Sequence, residues 1–400
     1  MSLPVLVLDN PIQNYAWGSR TAIADLLGRP SPSPLPEAEL WIGAHPKAPS
    51  RIVAPEGLGT LDRAIQDDPV GILGHEVCDR FGNELPFLLK VLAAAAPLSI
   101  QAHPDHEQAR QGWARENAEG VPVDAPRRNY RDPNHKPELV CALTPFTALE
   151  GFRPIDELAR RLEPVARPEI APELGRLARE QTPLALRALF ARLLTLDTEE
   201  QGPVIKRATG EAARRRAADP AWEWVARLLT HYPADVSALA PLYLNLVTLA
   251  PGEALYLPAR ELHTYLEGTA IEIMANSDNV LRGGLTPKHV DVPELLATLV
   301  FEGRLPAALK AMESGPGERA YRTPAREFEL GLLEVTHARP YAPSPGRGVE
   351  ILLGLAGEAR IVAGGEAIPL GQGRSVLVPA ALPSYALEGD GRVCRARVPA

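Results

Sequence analysis

Cysteine is scarce in this chain: three residues in 400, Cys78, Cys141 and Cys394, far apart and with no Cys-x-x-Cys pair. An odd, scattered set supports neither a disulfide framework nor a thiolate zinc site, so the three read as core residues. Long apolar runs are absent too. The most apolar stretch, Leu85 to Ile100, contains Lys90 and two prolines and is too short and too broken to span a bilayer. The opening Met1-Ser2-Leu3-Pro4 has neither the positive region nor the apolar core of a secretion signal. A basic face is missing as well, because 42 Lys and Arg against 50 Asp and Glu leave a net charge of -8 with no basic run to offset it. That balance argues against nucleic acid as a partner. Together these absences predict a globular, cytoplasmic protein with no membrane partner, and they set no oligomeric state.

Lysine is the other scarcity. Of the 42 basic residues only six are lysine, namely Lys47, Lys90, Lys136, Lys206, Lys288 and Lys310. A sequence that defaults to arginine for its surface cations invites a chemical reason for each lysine it keeps. Lys90, Lys136 and Lys288 all fall in stretches marked out on other grounds below.

What is present begins with size: 400 residues at 45% hydrophobic content suffice for a large core and suggest two or three domains. Residues 1 to about 150 alternate short apolar runs with Pro, Gly and Asn breaks, the pattern of many short strands. Within them Trp17, Trp41 and His45 read as packing groups. From about 154 to 237 the chain turns Leu-, Ala- and Arg-rich with apolar spacings of three and four, as in Leu184, Leu186, Leu189, Phe190, Leu193 and Leu194. Thr182-Pro183 and Asp219-Pro220 each set a capping residue before a proline suited to a first helical turn. This is a helical insert with no chemistry of its own, able to cover a site. Strands return at Leu242 to Leu249.

The stretch from Leu249 to Gly268 is echoed without a gap by Leu370 to Gly389, with Gly252, Pro258, Glu267 and Gly268 matched by Gly373, Pro379, Glu388 and Gly389. The repeat predicts two related β-barrels. At the same offset His263 becomes Ser384, so a histidine-based site survives in the first barrel only.

The candidate site centres on Pro97-Leu-Ser-Ile-Gln-Ala-His-Pro104. Alternation along a strand turns Ser99, Gln101 and His103 to one face and Ile100 and Ala102 into packing. An imidazole nitrogen and an amide oxygen suit a mixed N/O metal site. Asn134-His-Lys-Pro-Glu138 and Leu262-His263-Thr264 supply partners for it. His106, three residues beyond His103, would face the other side of a strand, and both it and His135 are left out of the metal shell. A small barrel with one histidine after a Gly-x5-Pro hairpin resembles the cupin family.

Several further stretches resemble type I mannose-6-phosphate isomerases. They are Pro-Ile-Gln-Asn-Tyr-Ala-Trp-Gly-Ser from Pro11, Glu-Leu-Trp-Ile-Gly-Ala-His-Pro from Glu39, Leu-Pro-Phe-Leu-Leu-Lys-Val-Leu from Leu85, and Asn276-Ser-Asp-Asn-Val-Leu-Arg-Gly-Gly-Leu-Thr-Pro-Lys288. With the Gln101 and Glu138 segments they span most of residues 11 to 290. The resemblance implies one zinc per chain, held by Gln101, His103, Glu138 and His263. It implies an essential arginine at Arg282 and pocket groups at Ser99, Lys136, Glu272, Asp278 and Lys288. It implies a mainly β fold of two cupin-like jelly-roll barrels plus an α-helical domain. The expected division is 1–153 and 238–325 for the catalytic barrel, 154–237 for the insert and 326–400 for a metal-free second barrel.

The implied reaction interconverts mannose 6-phosphate and fructose 6-phosphate. Moving a proton between adjacent carbons passes through an enediolate, whose charge a metal and a cation such as Arg282 can offset. Glu272 and Lys136 are both candidates for the shuttle. Lys288, Lys136 and Arg282 suit a phosphate dianion. Free of metal, the histidines are expected to protonate near their reference pKa of about 6.5. The alternative is a non-catalytic cupin that binds a sugar phosphate. An iron-dependent oxygenase would want a more histidine-rich shell.

Overall fold

Residues 4–344 and 346–399 are described by the computed structural model. They form mainly β structure in two large sheets with a block of helices. The eleven-stranded sheet is built around the 13-residue strand His263–Ala275. Its second half pairs with Phe87–Ala94 and Glu138–Ala142, and its first half with Phe146–Phe152 and Ile100–Ala102. One strand serves both groups because it bends at Gly268. There φ is +120° and a Cβ would lie 2.6 Å from the Pro145 carbonyl oxygen, so only glycine fits. The echo of this residue, Gly389, likewise sits inside the long strand Ala386–Arg397 with φ of +98°. The repeated Glu-Gly therefore marks a bend within a strand in both halves of the repeat.

The nine-stranded sheet is mostly C-terminal, but the N-terminal strand Leu6–Asp9 enters it through Leu6 opposite Leu377 and recruits Arg51–Ala54 on its other side. Strands Met312–Gly315 and Glu318–Tyr321 also join it, ahead of residue 326. A shared apolar layer, with Leu40, Phe87 and Ile271 on one side and Ile351, Leu377 and Cys394 on the other, glues the two sheets together. The first 150 residues also hold five helices among the described residues, where the sequence reads as short strands. The one that matters here, His106–Ala118, starts where Asp105 accepts the Gln108 N–H and the Gln108 side chain accepts the Asp105 N–H. His106 is thus the first residue of a helix, not a strand residue.

Between strands Phe146–Phe152 and Leu244–Leu249 the chain is helical, as its periodicity predicts. Thr182 and Asp219 cap their helices at the Ala185 and Ala221 N–H groups, each with proline following. Leu186, Leu189, Phe190 and Leu193 are buried, whereas Leu184 in the first turn is exposed. The apolar interior of this block continues into Ile100, Ala102, Leu262 and Leu281, so the helices back the strands that carry the candidate site. No described helix is long and apolar enough to cross a membrane.

Candidate metal centre and cavity

Strand Ile100–Ala102 is paired on both sides. Gln101 stands opposite His263 on one neighbour and opposite Arg282, in strand Leu281–Gly284, on the other. Ile100 and Ala102 are fully buried toward the helical block, and this anchors the strand so that Gln101 faces a cavity. Glu138 opens its strand opposite Met274. Three segments far apart in sequence therefore meet at one point.

Here His103 Nε2 lies 3.3 Å from Glu138 Oε1, and His263 Nε2 lies 3.4 Å from Glu138 Oε2. His103 donates its Nδ1 proton to the Asn279 carbonyl at 2.7 Å, and His263 Nδ1 faces the Glu261 carbonyl at 3.2 Å. Fixing the proton on Nδ1 leaves each Nε2 with a free lone pair. Those two nitrogens and Glu138 Oε2 are buried and lack a hydrogen-bond partner in the protein. Orphaned buried acceptors are costly unless something electropositive fills the gap. Two donors about 2.1 Å from a tetrahedral ion sit roughly 3.4 Å apart, so the spacing fits zinc.

The electrostatics favour the deprotonated donor set. Burial pushes the Glu138 carboxyl upward, but Lys136, whose Nζ is 2.9 Å away, and the His103 imidazole hold it well below the usual range. Burial, with Lys136 adding to it, lowers His103 to about 4. The expected protonation of this histidine near 6.5 is therefore corrected downward: desolvation penalises the imidazolium before any metal arrives.

Beside this cluster lies a cavity of about 620 Å³, a size suited to a small ligand. Ser99, Gln101, Lys136, Glu138, Glu272, Asp278, Arg282 and Lys288 all line it. So do Lys47 and Lys90, which puts four of the six lysines on one wall or another. At one end Arg282 and Lys288 form no ion pair among the described residues, and Arg131 adds a third cation to their field. Burial lowers the pKa of both, with Arg131 adding to it at Arg282 and Arg282 and Arg131 adding to it at Lys288. Unpaired cations facing a cavity are a ready anion site.

The opposite wall is neutralised internally. Lys90 lies 2.8 Å from Glu272 and 3.8 Å from Glu39, and Tyr265 donates its hydroxyl to Glu272 at 2.8 Å. Burial raises the Glu272 pKa, with Lys90 opposing. Asp278 pairs with Lys47 at 2.8 Å and faces His45 at 3.8 Å. Trp17, Trp41 and His45 line the cavity as well as packing.

Sequence reasoning missed Lys47, Tyr265 and above all Asn279. The fully buried Asn279 accepts the Arg131 N–H on its side-chain oxygen and donates its amide to the Asp132 and Asn134 carbonyls. It thereby ties the loop before Lys136 to the carbonyl that orients His103. His106 and His135 stay out of the first cluster. They stack on each other elsewhere, with ring centroids 4.0 Å apart.

The Arg282 strand is held by Gly284, whose φ is +129° and whose missing Cβ would fall 1.9 Å from the buried Ser237 Oγ. Gly284→Ala combines backbone strain with a clash. The expected loss is at least about 2 kcal/mol of stability, read as a lower urea midpoint with an unchanged slope. An unchanged midpoint would show that the strand end can shift away from Ser237.

A family model for the catalytic domain of type I phosphomannose isomerase matches residues 5–155. The chain is 41% identical to the mannose-6-phosphate isomerase of Escherichia coli K12 over 390 residues, covering 97% of this chain and 98% of that one. It is 36% identical to the Homo sapiens mannose-6-phosphate isomerase over 361 residues, covering 83% and 82%. A crystal structure of zinc-bound mannose 6-phosphate isomerase superposes with a TM-score of 0.91 at 40% identity, covering 99% of this chain and 100% of that chain.

Proposed function

This chain belongs to the type I phosphomannose isomerase family, and from that premise we propose that it is a zinc-dependent aldose-ketose isomerase interconverting mannose 6-phosphate and fructose 6-phosphate. The observation that carries the reading is the trio of buried, partnerless donor atoms on His103, His263 and Glu138 opening beside a cavity with unpaired cations. We assign the metal to these three residues together with Gln101. When bound, zinc supplies a Lewis acid for the carbonyl and hydroxyl oxygens of the open-chain sugar.

The remaining chemistry falls to the chain's own groups. Arg282 offsets the negative charge that grows on the enediolate oxygens. Lys136 and Glu272 are the groups placed to move protons between the two carbons and their oxygens. They differ in their partners: Glu272 is held by Lys90 and Tyr265, and Lys136 by Glu138. Lys288 joins Arg282 in gripping the phosphate dianion, and Ser99 and Asp278 position sugar hydroxyls. Each sheet is read as one jelly-roll barrel of cupin type, with residues 154–237 inserted into the first. The Gly252 and Gly373 turns and the bent strands at Gly268 and Gly389 support that repeat.

A coupled assay of mannose 6-phosphate conversion, run before and after chelation and again with zinc restored, tests this directly. Turnover that chelation abolishes and zinc restores is expected. Tight sugar-phosphate binding with no conversion would instead make the chain a non-catalytic binder.

A further inference from the structure

His106, His135 and Glu327 form a second cluster, with one donor atom from each lying within 4.8 Å of the others. They come from three separate places: the first turn of helix His106–Ala118, the loop that leads into Lys136, and the approach to strand Glu329–Val335 of the other sheet. His135 Nε2 is 2.8 Å from Glu327 Oε1. The other Glu327 oxygen accepts the Arg326 N–H.

Glu327 is 9% exposed, and among the described residues no lysine or arginine pairs with it. Burial pushes its carboxyl up, but His135 holds it below the ordinary range, so it is an anion at neutral pH. His106 has its pKa lowered by burial and then by His135, which disfavours two imidazolium ions stacked face to face. A buried carboxylate in contact with one imidazole, with a second, exposed imidazole stacked on that one, brings three donor groups to one place. Two imidazoles and one carboxylate are also the ligand chemistry of borderline divalent metals, zinc foremost.

We propose that His106, His135 and Glu327 bind a second divalent cation of the zinc class, more weakly than the first site. Its ligands are separate from Gln101, His103, Glu138 and His263, and the exposed His106 ring turns on the solvent side to complete it. An ion held there staples the loop before Lys136 to the far sheet. Because the ion binds only the folded chain, it raises the melting temperature in proportion to its occupancy.

The test uses zinc-loaded protein dialysed to one metal per chain by elemental analysis, then titrated with zinc chloride in a calorimeter. One further equivalent is expected in the parent. His106→Ala and Glu327→Gln should each weaken it by at least about tenfold, the lower end of what lost support costs a metal site. His106→Ala removes an exposed side chain that plays no part in the Asp105 cap, so this variant should fold and retain its first zinc and its turnover. Added zinc should raise the melting temperature of the parent but not of His106→Ala. No second equivalent in the parent, or an undiminished one in His106→Ala, would overturn the proposal. Either result leaves the first site and its activity untouched.

Discussion

Replacing Arg282 by alanine is expected to lower kcat by at least about a hundredfold, the scale for removing one group that stabilises developing charge, with zinc content unchanged. Position and the want of a partner give Arg282 this role. Arg282 stands across from Gln101 on a two-residue register, so its side chain enters the cavity beside the proposed metal ligands. Among the described residues no carboxylate pairs with it, and half-burial keeps water from screening it fully. A guanidinium stays charged through such a shift. Its field is therefore available to an anion that exists only during turnover. Arg282→Lys should recover part of the rate, since it restores the charge but not the planar fork. If the alanine variant changes only KM, Arg282 grips the phosphate and contributes little to the chemical step. If it loses zinc, the strand Leu281–Gly284 is a prop for the metal site and the catalytic assignment fails.

The cavity-facing side of the Ile100–Ala102 strand was legible because alternation is a short-range rule. Once Ile100 and Ala102 are assigned to packing, Gln101 and His103 must face the other way, and the structure buries Ile100 and Ala102 in the helical core. The scarcity of lysine was informative for a similar reason. A residue kept against a strong compositional bias is kept by local chemistry, and Lys90 pairs with Glu272 and Lys136 with Glu138 in the site itself.

What could not be read depends on contacts with no sequence signature. Asn279 works through its backbone carbonyl on His103 and through amide bonds to a loop almost 150 residues away, and nothing in Asn-Val-Leu-Arg announces either. Lys47 is half-exposed and matters only because Asp278 arrives beside it. The entry of Leu6–Asp9 into the C-terminal sheet is a choice between edges, which short apolar strands leave open. The cluster at His106 needed the helix start at Asp105. A reading that continued the strand past His103 sent that ring the wrong way.

Removing a single imidazole should have a larger effect still. His103→Ala or His263→Ala leaves Glu138 as a buried carboxylate facing an incomplete shell, and either variant should lose tightly held zinc and fall to background turnover. The parent's response to acid separates the metal from the proton shuttle. A buried histidine with a folded pKa near 4 against about 6.5 unfolded binds no proton in the fold between those values, while the unfolded chain does. The sign is thus a loss of stability as pH falls through that window, about 1.4 kcal/mol per pH unit for each fully titrating group, and none above it. His45, also lowered to about 4 by burial, adds to the same slope. Metal-free protein should therefore become easier to unfold from pH 6.5 to 4 while His103 itself stays neutral and ready to bind. Glu138, held low by Lys136 and the imidazoles, likewise meets no proton in this range. Protonation of His103 and Glu138 therefore does not drive zinc off between pH 7 and 5, and zinc held through that interval is the expected result. Any fall in kcat across that interval belongs to a group such as Glu272, whose carboxyl burial raises. Following zinc release and turnover together down the pH scale decides the matter. Zinc lost in step with activity above pH 5 would mean that the donors are not held deprotonated by their surroundings.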